Sequence, residues 1–511
     1  VKILLVTYSA YPRIGGRSTY ISLLKSTLER RGHSVDILAH APGQNEIYIV
    51  GGKRVNKAAL RRRIAAEIVP QLHRRFPGLP PWIVWRETER YCFEEAIRQF
   101  DFSPYDLIHT QDILSSLACQ RAIRDRPIVA TFHNCKAEEW QVNGEAEQKL
   151  PIERAYVARE ELLSVERTKW VIVPSRWLKN ALTRLGATSE RFRVVSYGMD
   201  IPRFQQSMRQ PTELKKPADC PLILCPARFV PIKGHTFLFA ALQRLKEEGR
   251  RFVCWVAGNG VLEQNLQQEV RLRGIDDVVR FIGGRSDLPA ILAITDIVVL
   301  PTLHDTLPLV IMEAQLAGVA VISTRVGGVT EMIEHGRTGL LGPAGDPDYL
   351  WHSLRNLLAN QAERERLARN AQTVALQTYS DARMVGHTVA LYQEAVRSAA
   401  AGEAYVEQTT IDERLLGPVY RLGLPAPLRP TGTLVGTVRA PDGRPQPHAA
   451  VHLMDMSWVT LAVTHCDRNG RFSFHQIPAG KYAMIISVGE CWKSRELVVH
   501  ENEVTCCHAN L

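Results

Sequence analysis

The chain opens on an apolar run, KILLVTY at 2–8, and bulky positions then recur at Tyr20, Leu23, Leu24, Thr27 and Leu28. The run reads as a buried strand, and the recurrence as one face of a helix. Gly32 ends that helix, and VDILA at 35–39 predicts the next strand. Short apolar runs return at 106–109, 128–132, 170–174 and 193–197. Strands alternating with helical stretches predict a parallel sheet covered on both faces. A polar segment at about 201–220 carries Pro202, Pro211 and Pro217 and reads as a linker. The alternation then restarts, with strands predicted at 222–227, 252–258, 278–283, 296–301 and 319–324. Two such units in succession predict two doubly wound α/β domains facing a cleft, a common place for a ligand.

Helical periodicity continues from about 347 to 400, and residues 401–430 read as a second linker. From 431 the pattern changes to short runs (LVGTV, AVHLM, TLAVT, RFSFH, AMIISV) separated by turn signals at 441–443, 467–470 and 478–480. That spacing predicts a small all-β sandwich. The expected organisation is a first α/β domain over 1–205 and a second over 217–385. A helix at 386–400 returns to the first domain, a linker covers 401–430, and the sandwich covers 431–511.

The chain has 511 residues, 45% hydrophobic and 23% charged, enough for more than one buried core. A net charge of +10 favours an anionic partner. No nucleic-acid-reading signature accompanies it, so nucleic acid is not expected. The ten cysteines include no CxxC pair and suit a reducing compartment. Cys506 and Cys507 with His508 read as a terminal strand, since two adjacent cysteines do not build a zinc site alone. No secretory leader is visible, and no run reaches the roughly 18 apolar residues of a membrane span. The expectation is a cytoplasmic protein. The basic stretch at 53–69 places Leu60, Ile64 and Ile68 four apart among arginines. It reads either as a helix packed on its own domain or as a basic amphipathic helix in peripheral contact with an anionic inner membrane face.

The candidate chemistry gathers after the predicted strands. Arg228 and Lys233 follow the strand at 222–227, with Gly234 behind them. Arginine grips phosphate oxygens bidentately, and lysine supplies a point charge. An isolated pair at this spacing is ordinarily two exposed basic residues; its place between a strand and a helix argues for an anion site. The Ile14-Gly15-Gly16-Arg17-Ser18 loop is a second candidate anion cradle, equally readable as a plain loop. Asp305 and Glu313 lie eight positions apart across a predicted loop-to-helix junction. A carboxylate accepts two hydrogen bonds, as a ribose diol or vicinal sugar hydroxyls require. Glu313 has apolar neighbours, and a buried glutamate needs a partner. His133 closes a predicted strand at the edge where ligands of parallel sheets bind. Asp346-Pro347-Asp348 reads as a helix N-cap with proline at the first helical position, not as a metal-binding pair.

These residues lie in a collinear series: GG at 15–16, RGHSVDIL at 31–38, VPSRWLKNALTRLG at 173–186, VSYGMD at 195–200, RFVPIK at 228–233, AGNG at 257–260 and HDTLPLVIMEAQLAGVAVISTRVGGVTEMI at 304–333. Over about 1–395 the chain resembles the retaining glycosyltransferases of family four, with the two Rossmann-like domains of the GT-B fold. The resemblance implies that Gly16, Arg228 and Lys233 bind a donor diphosphate and that Glu313 binds the nucleotide ribose. Asp305 takes the place of the first glutamate of the family's E-x7-E motif, which contacts the donor hexose, and His133 matches a histidine near the transferred sugar. Gly15, Gly258, Thr306, Leu307 and Leu309 fall in the implied donor site. The implied reaction transfers a hexosyl unit from a UDP- or GDP-sugar to a hydroxyl acceptor, with retention and without a metal or other cofactor. Asp305 is about 1.5 Å shorter in reach than glutamate, and Thr306 replaces the usual glycine. A non-catalytic nucleotide-sugar sensor or scaffold, and a GT-B nucleotide-sugar epimerase, remain alternatives on the same residues. The last 80 or so residues (431–511) resemble a carboxypeptidase-regulatory-like β-sandwich, a module that is usually non-catalytic.

Overall fold

The computed structural model describes the chain except residues 14, 143, 219, 400–410, 422–430, 455–459, 479, 489–490, 501–503 and 511. The linker expected over 401–430 thus lies largely outside the described residues, as do Ile14 of the 14–18 loop and Ala479 of the 478–480 turn. The chain divides into two compact units, 1–57 with 93–146 and 160–407, and 58–92 with 147–159 and 408–511.

The first unit holds two sheets. Eight strands, β1 (Lys2–Ala10), β2 (Ser34–His40), β3 (Glu46–Ile49), β4 (Arg54–Asn56), β5 (Leu107–Thr110), β6 (Ile128–Thr131), β7 (Trp170–Val173) and β8 (Phe192–Val194), lie in the order β4-β3-β2-β1-β5-β6-β7-β8. Six more, β9 (Leu222–Pro226), β10 (Val253–Ala257), β11 (Val279–Gly283), β12 (Ile297–Leu300), β13 (Ala320–Thr324) and β14 (Leu340–Gly342), lie in the order β11-β10-β9-β12-β13-β14. Pairing is parallel except along β2, β3 and β4. Strands β7, β9, β12 and β13 are buried at every position, which is why they read as unbroken apolar runs.

One apolar cluster joins the two sheets, running from Ile3 and Leu24 through Tyr197 and Phe204 to Val298, Met312 and Tyr392. The polar stretch after 200 is in part a helix, Ile201–Met208, because Asp200 caps it and Phe204 is buried. The helix Asp381–Ala399 packs on the helix Gly16–Arg30 and on β5 and β6. Its Tyr392 hydroxyl meets His109 Nδ1 at 2.6 Å. Asp381 accepts from Thr27 Oγ1 at 2.9 Å and pairs with Arg30, which also meets Asp200 at 3.0 Å.

The basic helix begins at Lys57 rather than 53 and runs to Arg75 through Pro70. Residues 54–56 instead form edge strand β4, too short to show a period. Leu60, Ile64, Ile68 and Leu72 of this helix are buried in the protein. The apolar stripe is therefore packed within the protein, while Arg62 and Arg63 on the same helix are exposed.

The second unit contains the small sandwich. Strands β15 (Thr431–Arg439), β16 (Ala450–Met454), β17 (Thr460–His465), β18 (Arg471–Pro478), β19 (Gly480–Val488), β20 (Cys491–Val499) and β21 (Val504–Asn510) form sheets β18-β15-β21 and β17-β16-β19-β20. Alternate residues such as Leu434, Val438, Val451, Leu453, Met484 and Ile486 make the core. Cys507 is buried and Cys506 exposed, as that alternation dictates. Inside the stretch read as a linker, Glu413–Arg421 is helical, with Leu415, Leu416 and Val419 buried.

This unit also buries charge. Arg90 and Glu87 are both fully buried on the helix Pro81–Ile97 and bond bidentately, with Nε–Oε1 at 3.1 Å and Nη2–Oε2 at 2.5 Å. Tyr156 donates to the same Glu87 at 2.6 Å. Removing one partner of a buried pair strands the other charge. Arg90→Ala should therefore cost about 3–5 kcal/mol, read as a lowered denaturant midpoint in equilibrium unfolding.

Candidate active site between the two sheets

The second sheet's carboxyl edge builds the charged part of the site. After β9, Arg228 is exposed and makes no side-chain hydrogen bond or ion pair among the described residues. Phe229 beside it is fully buried and donates its N–H to Asn259 O at 3.0 Å, fixing the backbone of the turn. A Cβ on Gly258, the predicted donor-site glycine after β10, would fall 2.1 Å from Ala227 O, so the two loops touch through backbone. The chain then makes a tight turn, Pro231–Lys233, closed by Gly234 at φ 66°. A Cβ on Gly234 would lie 2.1 Å from Pro301 O, so only glycine lets this turn press against the loop after β12. Leu303 N–H donates to Ile232 O at 2.7 Å, and Thr302 Oγ1 reaches the same carbonyl at 3.1 Å.

This packing brings Lys233 Nζ to 2.5 Å from Asp305 Oδ2, with side chains only 14% and 17% exposed. The Asp305 main chain is held from the other side. Gly328 N–H donates to Asp305 O at 3.0 Å, and a Cβ on Gly328 would sit 1.7 Å from Thr306 O. Thr306 and Leu307 are consequently buried in the loop. Leu307 borders a separate hollow of about 580 Å³ with Arg176, Lys179 and Glu331.

Glu313 lies within the helix Leu309–Leu316, half-buried, and burial pushes its carboxyl up to about 7. With Leu309 it lines a cleft of about 760 Å³ whose other walls include Arg13, Tyr20, Tyr197 and Arg203. The Gly15–Gly16 loop opens the helix opposite, and a Cβ on Gly16 would lie 3.6 Å from Leu309 Cδ1. Arg228, Lys233, Asp305 and His133 are not in the cleft's lining.

His133 follows β6. Its Nδ1 meets Tyr197 Oη at 2.7 Å, its Nε2 faces Gln111 Oε1 at 3.3 Å, and Tyr20 sits edge-on to the ring at 5.0 Å. Burial, with the charge of Arg17 and then His109, holds this imidazole well below its ordinary range, so it is neutral at physiological pH. Burial also raises the Tyr197 hydroxyl, and the nearby Asp305 carboxylate adds to that shift. Tyr197 is thus bonded to His133 and lies within electrostatic range of Asp305. Arg17 donates to Ser9 Oγ at 2.8 Å and lies 3.8 Å from Asp112.

Sequence reasoning missed Tyr20, Tyr197, Gln111 and His304. Tyr20 fits the apolar helix period and reads as core. His304 is buried edge-on to Trp177 at 4.9 Å, and its Nε2 has no partner among the described residues. Asp346 accepts from Tyr349 N–H at 3.0 Å and caps the helix Pro347–Ala359. Among the described residues no group of three or more His, Cys, Asp or Glu side chains is placed to hold a metal ion. No described helix is long and apolar enough to cross a membrane.

Residues 14–203 match the family described as Glycosyltransferase Family 4, and residues 207–374 match Glycosyl transferases group 1. Residues 433–507 match the carboxypeptidase regulatory-like domain. A D-inositol 3-phosphate glycosyltransferase of Saccharomonospora viridis is 30% identical over 400 residues, covering 75% of this chain and 90% of that protein. An MMP alpha-(1->4)-mannosyltransferase of Mycolicibacterium hassiacum is 25% identical over 437 residues, 78% of this chain and 100% of that one. Sucrose-phosphate synthase from Thermosynechococcus elongatus superposes with a TM-score of 0.63 at 21% identity, over 78% of this chain and all (100%) of that one. Anabaena HepE in complex with UDP-glucose superposes with a TM-score of 0.53 at 19% identity, over 76% and 99%. At those identities the superpositions establish the two-domain fold alone. Fold, collinear motifs and full-length relatives agree: the chain is a group 1, family 4 glycosyltransferase of GT-B architecture, a family of retaining enzymes that use nucleotide-sugar donors, and it carries a C-terminal carboxypeptidase regulatory-like domain.

Proposed function

We propose that the chain moves a hexosyl unit from a UDP- or GDP-sugar to a hydroxyl acceptor, with Arg228, Lys233, Asp305, Glu313 and His133 as its working residues. The observation that carries this reading is the 2.5 Å contact of Lys233 with Asp305. It sets a cation for the leaving diphosphate beside a carboxylate for the hexose, the order in which those groups are bonded in the donor. An ammonium has three donors, so pairing with Asp305 leaves two for phosphate oxygens. The UDP-glucose bound by Anabaena HepE supports a UDP-sugar donor. The Saccharomonospora relative's name supports testing phosphorylated polyols as acceptors.

In the proposed reaction the bond between the anomeric carbon and the diphosphate oxygen breaks, and the diphosphate keeps the electron pair. Arg228 and Lys233 neutralise the developing charge. The acceptor oxygen bonds the anomeric carbon on the same face, and its proton passes to the departing diphosphate oxygen. Asp305 and neutral His133 orient hexose hydroxyls. Glu313 holds the ribose diol.

Incubation with a panel of nucleotide sugars and hydroxyl acceptors tests the reading through released UDP or GDP and new glycoside. Binding without release indicates a sensor, and isomerised donor an epimerase. In that assay Lys233→Ala should lower kcat by about 100-fold or more while its circular dichroism spectrum remains that of the folded parent.

Glu313 supplies a pH signature. A carboxyl raised to about 7 is mostly protonated at pH 6 and mostly ionised at pH 8. The ionised form accepts both ribose hydroxyls, so uridine, which has no phosphate to titrate, should bind about tenfold more tightly at pH 8 than at pH 6. Glu313→Gln should flatten that dependence in a calorimetric titration.

A further inference from the structure

We propose that Glu331 is a positioning residue for sugar transfer, latching the first sheet's domain onto the segment that holds Asp305; the inference rests on the assignment of Asp305 above. Glu331 lies in the short helix Val329–Met332 after β13. Its Oε2 accepts from Arg176 N–H at 3.0 Å and its Oε1 from Trp177 N–H at 2.6 Å. Both N–H groups open the helix Arg176–Arg184 and have no partner within that helix. The local cap, Ser175, serves only Leu178 N–H, at 3.2 Å. A carboxylate at this positive helix end is also favoured electrostatically. The other domain thus completes a cap that the local sequence leaves unfinished. The Arg176 side chain lies 3.4 Å from the same carboxylate but is 78% exposed, so it adds little.

The surroundings confirm close apposition. Trp177 meets His304 edge-on, one residue before Asp305. A Cβ on Gly328 would lie 3.3 Å from Ser175 Cβ. The segment bearing the latch also bears the clamp on the acidic loop. Glu331 N–H donates to Gly328 O at 3.0 Å, and Gly328 N–H donates to Asp305 O at 3.0 Å. Engagement of Glu331 therefore selects the arrangement in which the loop of His304 and Asp305 is held against Trp177 of the first sheet's domain. The proposed donor cations, with Glu313, all lie on the second sheet's domain. Loss of the latch should impair transfer, which needs both domains, and spare nucleotide binding.

The test compares Glu331→Ala and Glu331→Gln with the unaltered full-length chain. It reads kcat with UDP-glucose and the acceptor panel, UDP affinity by calorimetry, and amide hydrogen exchange over 174–180. Glu331→Ala should lower kcat by about tenfold, change UDP affinity by less than about twofold, and speed exchange at Arg176 and Trp177. Glu331→Gln, which keeps an acceptor oxygen, should retain most of the rate. Parental kcat in Glu331→Ala, equal losses of kcat and UDP affinity, or unchanged exchange would each overturn the proposal. If the unaltered chain transfers from no donor, the transfer reading fails and the positioning role falls with it, while the exchange data still decide whether the latch exists.

Discussion

The loop after β12 is fastened by its own main chain, and the geometry of the site depends on that fastening. Leu303 N–H reaches Ile232 O on one side, and Gly328 N–H reaches Asp305 O on the other. Thr302 Oγ1 accepts no compromise in between: it spans Ile232 O and His304 O at 3.1 and 2.8 Å, and Thr324 Oγ1 bonds Thr302 O. Such contacts allow no side chain at Gly234 or Gly328. Only because the backbone is pinned can the Asp305 carboxylate be held against Lys233 with little exposure. An ion pair on free loops loses most of its attraction to solvent and side-chain entropy; here the ordering is supplied by neighbouring backbone.

The same economy joins the sheets. The helix Asp381–Ala399 comes last in the unit's order and packs beside β5 and β6. Asp381 gathers Thr27 and Arg30, and Tyr392 reaches His109. The face of the first sheet that carries His133 is thereby backed by an apolar cluster shared with the second. Polar groups near this cluster bond mainly to one another, as low polarity requires. His133 is kept neutral by that burial and by Arg17. In the proposed transfer a neutral imidazole would orient a hydroxyl without adding a positive charge beside the anomeric carbon.

The two-sheet architecture was legible because strands buried on both faces leave unbroken apolar runs, as at β7, β9, β12 and β13. Strands β3, β4 and β14 left no signal: they are short, lie at or next to sheet edges, and are not buried at every position, so no unbroken apolar run marks them. The helix Glu413–Arg421 was hidden by Gly417 and Pro418, although its buried leucines hold it in place. In the site, Lys233 and Asp305 stood out because charged residues after strands are informative locally. Their direct contact was not legible, since it depends on Pro301 O meeting Gly234 across 67 residues of chain. Tyr20, Tyr197 and His304 escaped for the opposite reason. Aromatic residues at core spacing look like core, and only the folded arrangement shows Tyr197 Oη bonded to His133 Nδ1.

The pairing of Asp305 with Lys233 also bears on the shorter acidic side chain. A glutamate at this place would extend about 1.5 Å further toward the donor. Aspartate recovers none of that length, yet its charge is not lost: one oxygen is bonded to Lys233, and in the proposed role the other accepts a hexose hydroxyl. In the proposed role the effective acidic group is the ion pair, with the cation toward the diphosphate and an acceptor oxygen toward the sugar. Sugar choice on this reading is set by where the loop backbone holds the pair, and less by how far one side chain reaches. If the pair contacts the hexose as proposed, changes at Thr302, Gly328 or Thr324, none of which carries a charge, should bear on sugar choice as changes at Asp305 do.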